Sequence, residues 1–159
     1  MLMPIWWGFW VSKIINFNVL INMYNNQYET CSETYVTLRI YYQKINSEQL
    51  TEYLGINPTK FQNRGDKVGN ALSSKIENNG WFLSTKEAIK SKDFRRHIDF
   101  LISLLIPIKP KLNEIISNGA KIDFCCYWKS NDGHGGPTIS AQQFSKLAEL
   151  GLDLWFDVY

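Results

Sequence analysis

The sequence predicts an α+β fold: a mostly antiparallel sheet with helices packed on one face, in a two-layer sandwich. Three observations carry this expectation. Residues 34–43, 122–129 and 152–159 alternate in polarity with the period of a half-buried strand. Between them lie stretches whose apolar residues recur every three or four positions, as on one face of a helix. Each long strand also has one apolar and one mixed side, which suits an antiparallel sheet covered on a single face.

In the first strand Val36, Leu38, Ile40 and Tyr42 point one way, and Tyr35, Thr37, Arg39 and Tyr41 the other. Asn46 can then cap a short helix, with Gln49 reaching back to it and Leu50, Tyr53 and Leu54 as its apolar stripe. Gly55 ends this helix and Asn57-Pro58 forbids its resumption. Residues 57–79 are polar, contain Gly65 and Gly69, and form a long excursion with room for one weak strand or turn. Gly80 to Thr85 is short and aromatic, a second strand.

From Lys92 the period becomes helical: Phe94, His97, Ile98, Leu101, Leu104 and Leu105 share a face. Pro107 and Pro110 interrupt, and Leu112, Ile115 and Ile116 continue a second piece to the stop at Asn118-Gly119. On the next strand Ile122, Phe124, Cys126 and Trp128 oppose Asp123, Cys125, Tyr127 and Lys129. Ser130 to Pro137 is a turn, and Thr138-Ile139 is read as a brief strand. Ser140 and Gln143 form a capping box for a helix whose expected buried stripe is Phe144, Leu147 and Ala148. Gly151 stops it, and the last strand sets Leu152, Leu154, Phe156 and Val158 on one side.

The length of 159 residues fits one domain, with residues 25–159 as that domain and residues 1–24 as a hydrophobic N-terminal extension. Three of the six tryptophans fall in the first ten positions. The extension lacks the leading positive charge and small-residue site of a secretory signal. Lys13, Asn16, Asn18 and Asn22 interrupt any membrane span. It reads as a peripheral segment, or as sequence upstream of a true start at Met23; membrane contact through residues 1–22 is the less favoured reading.

A formal charge of +2 argues against nucleic acid as a partner, because phosphate binding needs a concentrated basic field. The odd count of three cysteines favours a reducing compartment, and the expected location is cytoplasmic. Cys125 and Cys126 fall on opposite sides of one strand, so neither a disulfide between them nor a redox site is expected. Neither a metal site nor a cofactor is expected.

The order Thr37-Leu38-Arg39-Ile40, Leu54-Gly55-Ile56-Asn57-Pro58, Gly65-Asp66, Trp81-Phe82-Leu83-Ser84, Arg96-His97-Ile98, Leu150-Gly151-Leu152 and Asp157-Val158-Tyr159 resembles a bacterial family known as domain of unknown function 4279. The resemblance spans about residues 34–159. It implies a small α+β domain and brings no catalytic residues with it. By analogy with small bacterial domains of this kind, it also suggests an immunity protein that neutralises a toxin.

Chemistry-bearing motifs are sparse. Asn131 to Gly136 carries Asp132 and His134 but matches neither a phosphate loop nor a dinucleotide loop, and a plain turn is the favoured reading. His97 on an apolar helix face reads as a partly buried, hydrogen-bonded core residue. Asp153 and Asp157 are about 13 Å apart along a strand, too far for a carboxylate dyad. Residues 86–111 carry seven basic against three acidic side chains, read as a solvated helix face.

The mixed strand faces are the informative feature. They collect Tyr35, Arg39, Tyr41, Asp123, Tyr127, Trp155, Asp157 and Tyr159, with Arg39 able to pair with Asp123 or Asp157. Tyr, Trp and Arg dominate the energetics of protein interfaces. The sequence therefore favours a non-catalytic protein-binding domain with a protein partner, in the extreme case a toxin. Its candidate binding residues are Arg39, Tyr41, Tyr127, Trp155, Asp157, Tyr159 and, in the glycine loop, His134. Two alternatives stay open: a small-molecule or nucleotide sensor with a pocket between the sheet and residues 57–79, and an enzyme using His134 with Asp132. The N-terminal extension and residues 57–79 are the segments that could cover the aromatic face.

Overall fold

A computed structural model describes residues 24–67 and 75–159. The elements in chain order are β1 (Cys31–Tyr41), α1 (Ser47–Leu54), β2 (Lys60–Gln62), β3 (Gly80–Ser84), α2 (Phe94–Leu105), a 3₁₀ turn (Ile106–Ile108), α3 (Lys109–Ser117), β4 (Lys121–Ser130), α4 (Ala141–Leu150) and β5 (Asp153–Val158). The strands form one sheet in the order β2-β3-β1-β4-β5. Three of its pairings are antiparallel, and β4 and β5 run parallel. The fold is α+β, as expected, but the sheet is mixed. A parallel neighbour needs a long crossover, and here residues 131–152, containing α4, supply it.

One face of the sheet carries the core. Val36, Leu38 and Ile40 of β1, Trp81 and Leu83 of β3, and Phe124, Cys126 and Trp128 of β4 are buried there. Phe94, Ile98, Leu101, Ile102 and Leu105 of α2 pack against them, together with Leu112 and Ile115 of α3. Burying each of these large apolar side chains contributes roughly 1.5–3 kcal/mol. The Trp81 indole donates to Thr51 Oγ1 at 3.0 Å, locking α1 to β3.

Both capping boxes form, at Asn46 with Gln49 and at Ser140 with Gln143. Gly55 and Gly151 close their helices with φ of 73° and 66°, a left-handed turn that glycine takes without strain.

Two local expectations fail. Thr138-Ile139 is not a strand; Tyr28 OH instead bonds Thr138 Oγ1 and the Gly136 carbonyl. The buried stripe of α4 is Gln143, Leu147 and Leu150, while Phe144 and Ala148 are exposed. Gln143 turns inward because its Nε2 donates to Asp99 of α2 at 2.8 Å.

His97 is a hydrogen-bonded core residue, as its helix face suggested, and is buried completely rather than in part. Its Nε2 lies 2.9 Å from the Ser91 carbonyl, which can only accept, so Nε2 holds the proton and Nδ1 accepts from Thr85 Oγ1 at 2.6 Å. Thr85 Oγ1 in turn accepts from Val36 N–H at 3.0 Å. The imidazole thus ties α2 to β1. Burial pushes its pKa below the ordinary 6.5.

All three cysteines are free, with Cys31 and Cys126 buried and Cys125 half-buried. Among the described residues no helix is long and apolar enough to cross a membrane, and no cluster of three or more His, Cys, Asp or Glu could hold a metal.

Candidate interaction face

Among the described residues the opposite face of the sheet carries no helix, and the strand registers fix what it displays. One row across all five strands reads Lys60, Phe82, Arg39, Asp123, Asp153. The next reads Ser84, Thr37, Cys125, Trp155, and the one beyond it Tyr35, Tyr127, Asp157. Alternation along each strand therefore gathers most of the expected binding residues on one surface.

Two clusters stand on it. In the first, Tyr127 is central. It stacks on Tyr35 with centroids 4.7 Å apart and planes 9° apart, and packs at 5.2 Å on Tyr159. Lys86 Nζ sits 5.0 Å over the Tyr35 ring while pairing with Glu33 at 2.9 Å. Tyr159 OH donates to Asp157 at 3.2 Å, a bond that raises the phenol pKa.

In the second, Arg39 grips Asp123 with both arms, Nε to Oδ1 at 2.6 Å and Nη2 to Oδ2 at 2.8 Å. The guanidinium also lies 4.7 Å from the Trp155 ring centroid. Because β4 separates β1 from β5, this contact spans a whole strand, and Cys125 of that strand is the direct register partner of Trp155. Burial raises the Cys125 thiol pKa, so its thiolate is scarce at neutral pH. The hydrogen bond to Asp123 raises the pKa of Arg39 further above its ordinary value. Tyr41 completes the face edge-on to Phe82 at 5.7 Å.

Trp155 and Tyr159 remain 55% and 65% exposed, so the aromatic array ends in open rings at the β5 side. Of the two segments that could have covered it, the described part of residues 57–79 instead lengthens the sheet, with β2 pairing to the edge of β3. Of the extension, residues 1–24, all but Tyr24 lie outside the described residues, and with them the membrane contact of residues 1–22.

His134 is not part of this surface cluster. It sits exposed in the loop after β4, where Ser130 Oγ donates to its backbone carbonyl at 2.7 Å. Gly133 and Gly135 take φ of 72° and 76°, the turn geometry that their sequence suggested. Among the described residues no hydrogen bond joins the side chains of Asp132 and His134.

Sequence reasoning missed Phe82 and Lys86 as members of the face. The alternation in Gly80–Ser84 would have placed Phe82 opposite Trp81 and Leu83; Lys86 lies beyond the strand and joins only through the β1–β3 register.

A family model described as a domain of unknown function, DUF4279, matches residues 32–159. The chain belongs to this family. The match begins within β1 and runs through β5, so the DUF4279 domain comprises the whole sheet and both faces. No curated protein and no solved structure matches the chain.

Proposed function

We propose that this DUF4279 domain is a non-catalytic bacterial protein-binding module of immunity type, which acts in the cytoplasm by blocking a partner, such as a toxin, through its open sheet face. The observation that carries the reading is the continuous array from Tyr35 through Tyr127 to Tyr159, beside Arg39 stacked on Trp155. Rings already held by stacking lose little conformational freedom on binding, and Trp, Tyr and Arg supply most hot-spot energy at interfaces. The family membership supports a compact domain and leaves the partner open.

The test is affinity capture from the native host with wild type, Trp155→Ala and His134→Ala as baits. One stoichiometric protein held by wild type and His134→Ala, and lost by Trp155→Ala, supports the reading. Retention by Trp155→Ala, or no partner with any bait, counts against it.

A sensor is the second reading, favoured by a cleft of about 730 Å³ lined by Gln43, Arg64, Gly65, Lys75, Ile76, Glu77 and Asn78. It lies between the end of β1 and the 57–79 excursion. A rise in melting temperature with a small ligand and no protein present would favour it.

A further inference from the structure

We propose that the outer edge of β5 accepts an extended segment of a partner protein as an additional strand, one that alternates apolar with Lys or Arg side chains. This goes beyond the open-face reading: it rests on backbone groups at the sheet edge and on a groove on the helix side.

The first observation is the contrast between the two sheet edges. Proteins protect edge strands with shortness, Lys, Pro, bulges or a covering element. β2 is three residues long and carries Lys60. β5 has six residues, Asp153–Val158; it carries Asp153 and Asp157 as its charges and has no Lys, Pro or irregularity in its register. Among the described residues it pairs with β4 alone.

The second observation is which backbone groups that edge offers. Tyr159 N–H donates to the Trp128 carbonyl, and Ser130 N–H donates to the Tyr159 carbonyl, both at 2.9 Å. Residue 159 therefore turns both its backbone groups toward β4. In a parallel pair this direction alternates, so Leu154, Phe156 and Val158 turn theirs toward the open edge.

The third is a groove beside those residues. Pro137, Ile139, Phe144, Phe156 and Val158 line an apolar depression of about 320 Å³ between β5 and α4. Phe144 and Val158 are 55% and 61% exposed. A strand laid along β5 would point alternate side chains into this groove. A strand beside a helix is the geometry in which added strands are read, with main-chain bonds giving affinity and pockets giving specificity.

Charge decides the occupant. The open-face side of β5 displays Asp153, Trp155, Asp157 and then Tyr159. Neither aspartate forms a salt bridge among the described residues, and Asp157 accepts only the Tyr159 hydroxyl. Cations opposite these carboxylates gain cross-strand attraction, and Trp155 adds a cation–π face. The partner strand is thus apolar toward the groove and basic toward the open face.

The test uses the full chain and the capped heptapeptide Lys-Val-Lys-Val-Lys-Val-Lys, with Glu-Val-Glu-Val-Glu-Val-Glu as its control. Amide exchange read by NMR should slow at least tenfold at Leu154, Phe156 and Val158 on saturation with the basic peptide. The acidic peptide should bind at least about tenfold more weakly, the effect of exchanging two attractive cross-strand pairs for repulsive ones. Val158→Pro removes an outward N–H while leaving the β4 ladder intact, and should abolish binding. Should that variant fail to fold, Asp153→Lys with Asp157→Lys should reverse the peptide preference. No protection, or equal binding of both peptides, overturns the proposal. So does protection without peptide: rising with protein concentration it makes a second copy the occupant, and independent of concentration it makes the occupant a segment of the same chain.

Discussion

The guanidinium of Arg39 lies 4.7 Å from the centroid of Trp155 while it holds Asp123 through two hydrogen bonds, so one side chain links β1, β4 and β5. The pair with Asp123 is largely shielded, with side chains 19% and 30% exposed. Such a bidentate, stacked arrangement depends on the planar fork of arginine.

Arg39→Lys should therefore not be conservative. A lysine keeps the charge and loses the second arm and the planar stack. The expected destabilisation is about 1–2 kcal/mol in urea denaturation. Trp155 emission should shift to the red as its ring becomes more solvated. An unchanged midpoint and spectrum would show that the stack contributes nothing in solution.

Tyr127 tests the other cluster. Among the described residues its hydroxyl makes no hydrogen bond, and its ring packs on both Tyr35 and Tyr159. Tyr127→Phe should leave the melting temperature unchanged. Tyr127→Ala should destabilise by about 1–3 kcal/mol, from two lost aromatic contacts plus lost burial, with the helical circular dichroism retained. Equal losses in both variants would point to an unseen role for the hydroxyl.

These clusters show where the sequence was legible. Period-two alternation placed Arg39, Tyr127 and Trp155 on one face without knowledge of strand order. It left Arg39 a choice between Asp123 and Asp157. The register decides: Asp123 faces Arg39 directly, and Asp157 falls two rows away beside Tyr127. Register is a tertiary quantity and leaves no local trace. The same holds for α4, where Phe144 fits the apolar period yet faces out because Asp99, on another helix, draws Gln143 inward. His134 lies apart from this face for a different reason. Its glycine neighbours satisfy turn geometry, and a side chain on such a loop converges with others only if the fold brings them there.

Asp93 is a buried charge whose role no pattern signalled. It is 1% exposed and caps α2. Burial alone would raise its carboxyl, but bonds from the Arg95 side chain and from the Asn25 and Arg95 N–H groups hold it below the ordinary carboxylate range. Asp93→Ala removes the cap and strands Arg95, whose side chain is 19% exposed. The expected loss is about 3 kcal/mol, against about 1 kcal/mol for the cap alone. A loss confined to the smaller figure would show that Arg95 finds water instead.

The glycine loop yields a paired prediction. Gly135 has φ of 76°, and a Cβ there would lie 2.8 Å from Thr30 Oγ1. Gly136 has no positive φ, and a Cβ there meets nothing within 4 Å. Gly135→Ala should destabilise by about 1–2 kcal/mol, and Gly136→Ala should be neutral within about 0.5 kcal/mol. Thermal melts of the two variants side by side decide it. Equal behaviour would mean that the loop does not hold this turn.

His97 should make the fold acid-sensitive. Burial lowers its pKa below 6.5, aided by Arg96 and opposed by the Ser91 carbonyl and Asp93. The unfolded chain then binds the proton more readily than the folded one, so protonation favours unfolding. The stabilisation is complete above about pH 6.5 and is lost progressively as the pH falls from there toward the folded pKa. Asp93 acts in the same direction, but only in the carboxylate range below its ordinary 3.8, well under the pH of about 6.5 at which the His97 contribution starts to fall. The two are separable by window. Wild type should lose melting temperature between pH 7 and pH 5, and His97→Gln, less stable at pH 7, should show a flatter profile across that interval. A variant with the same slope as wild type would assign the acid sensitivity to another group and contradict the neutral, doubly bonded imidazole between Thr85 and Ser91.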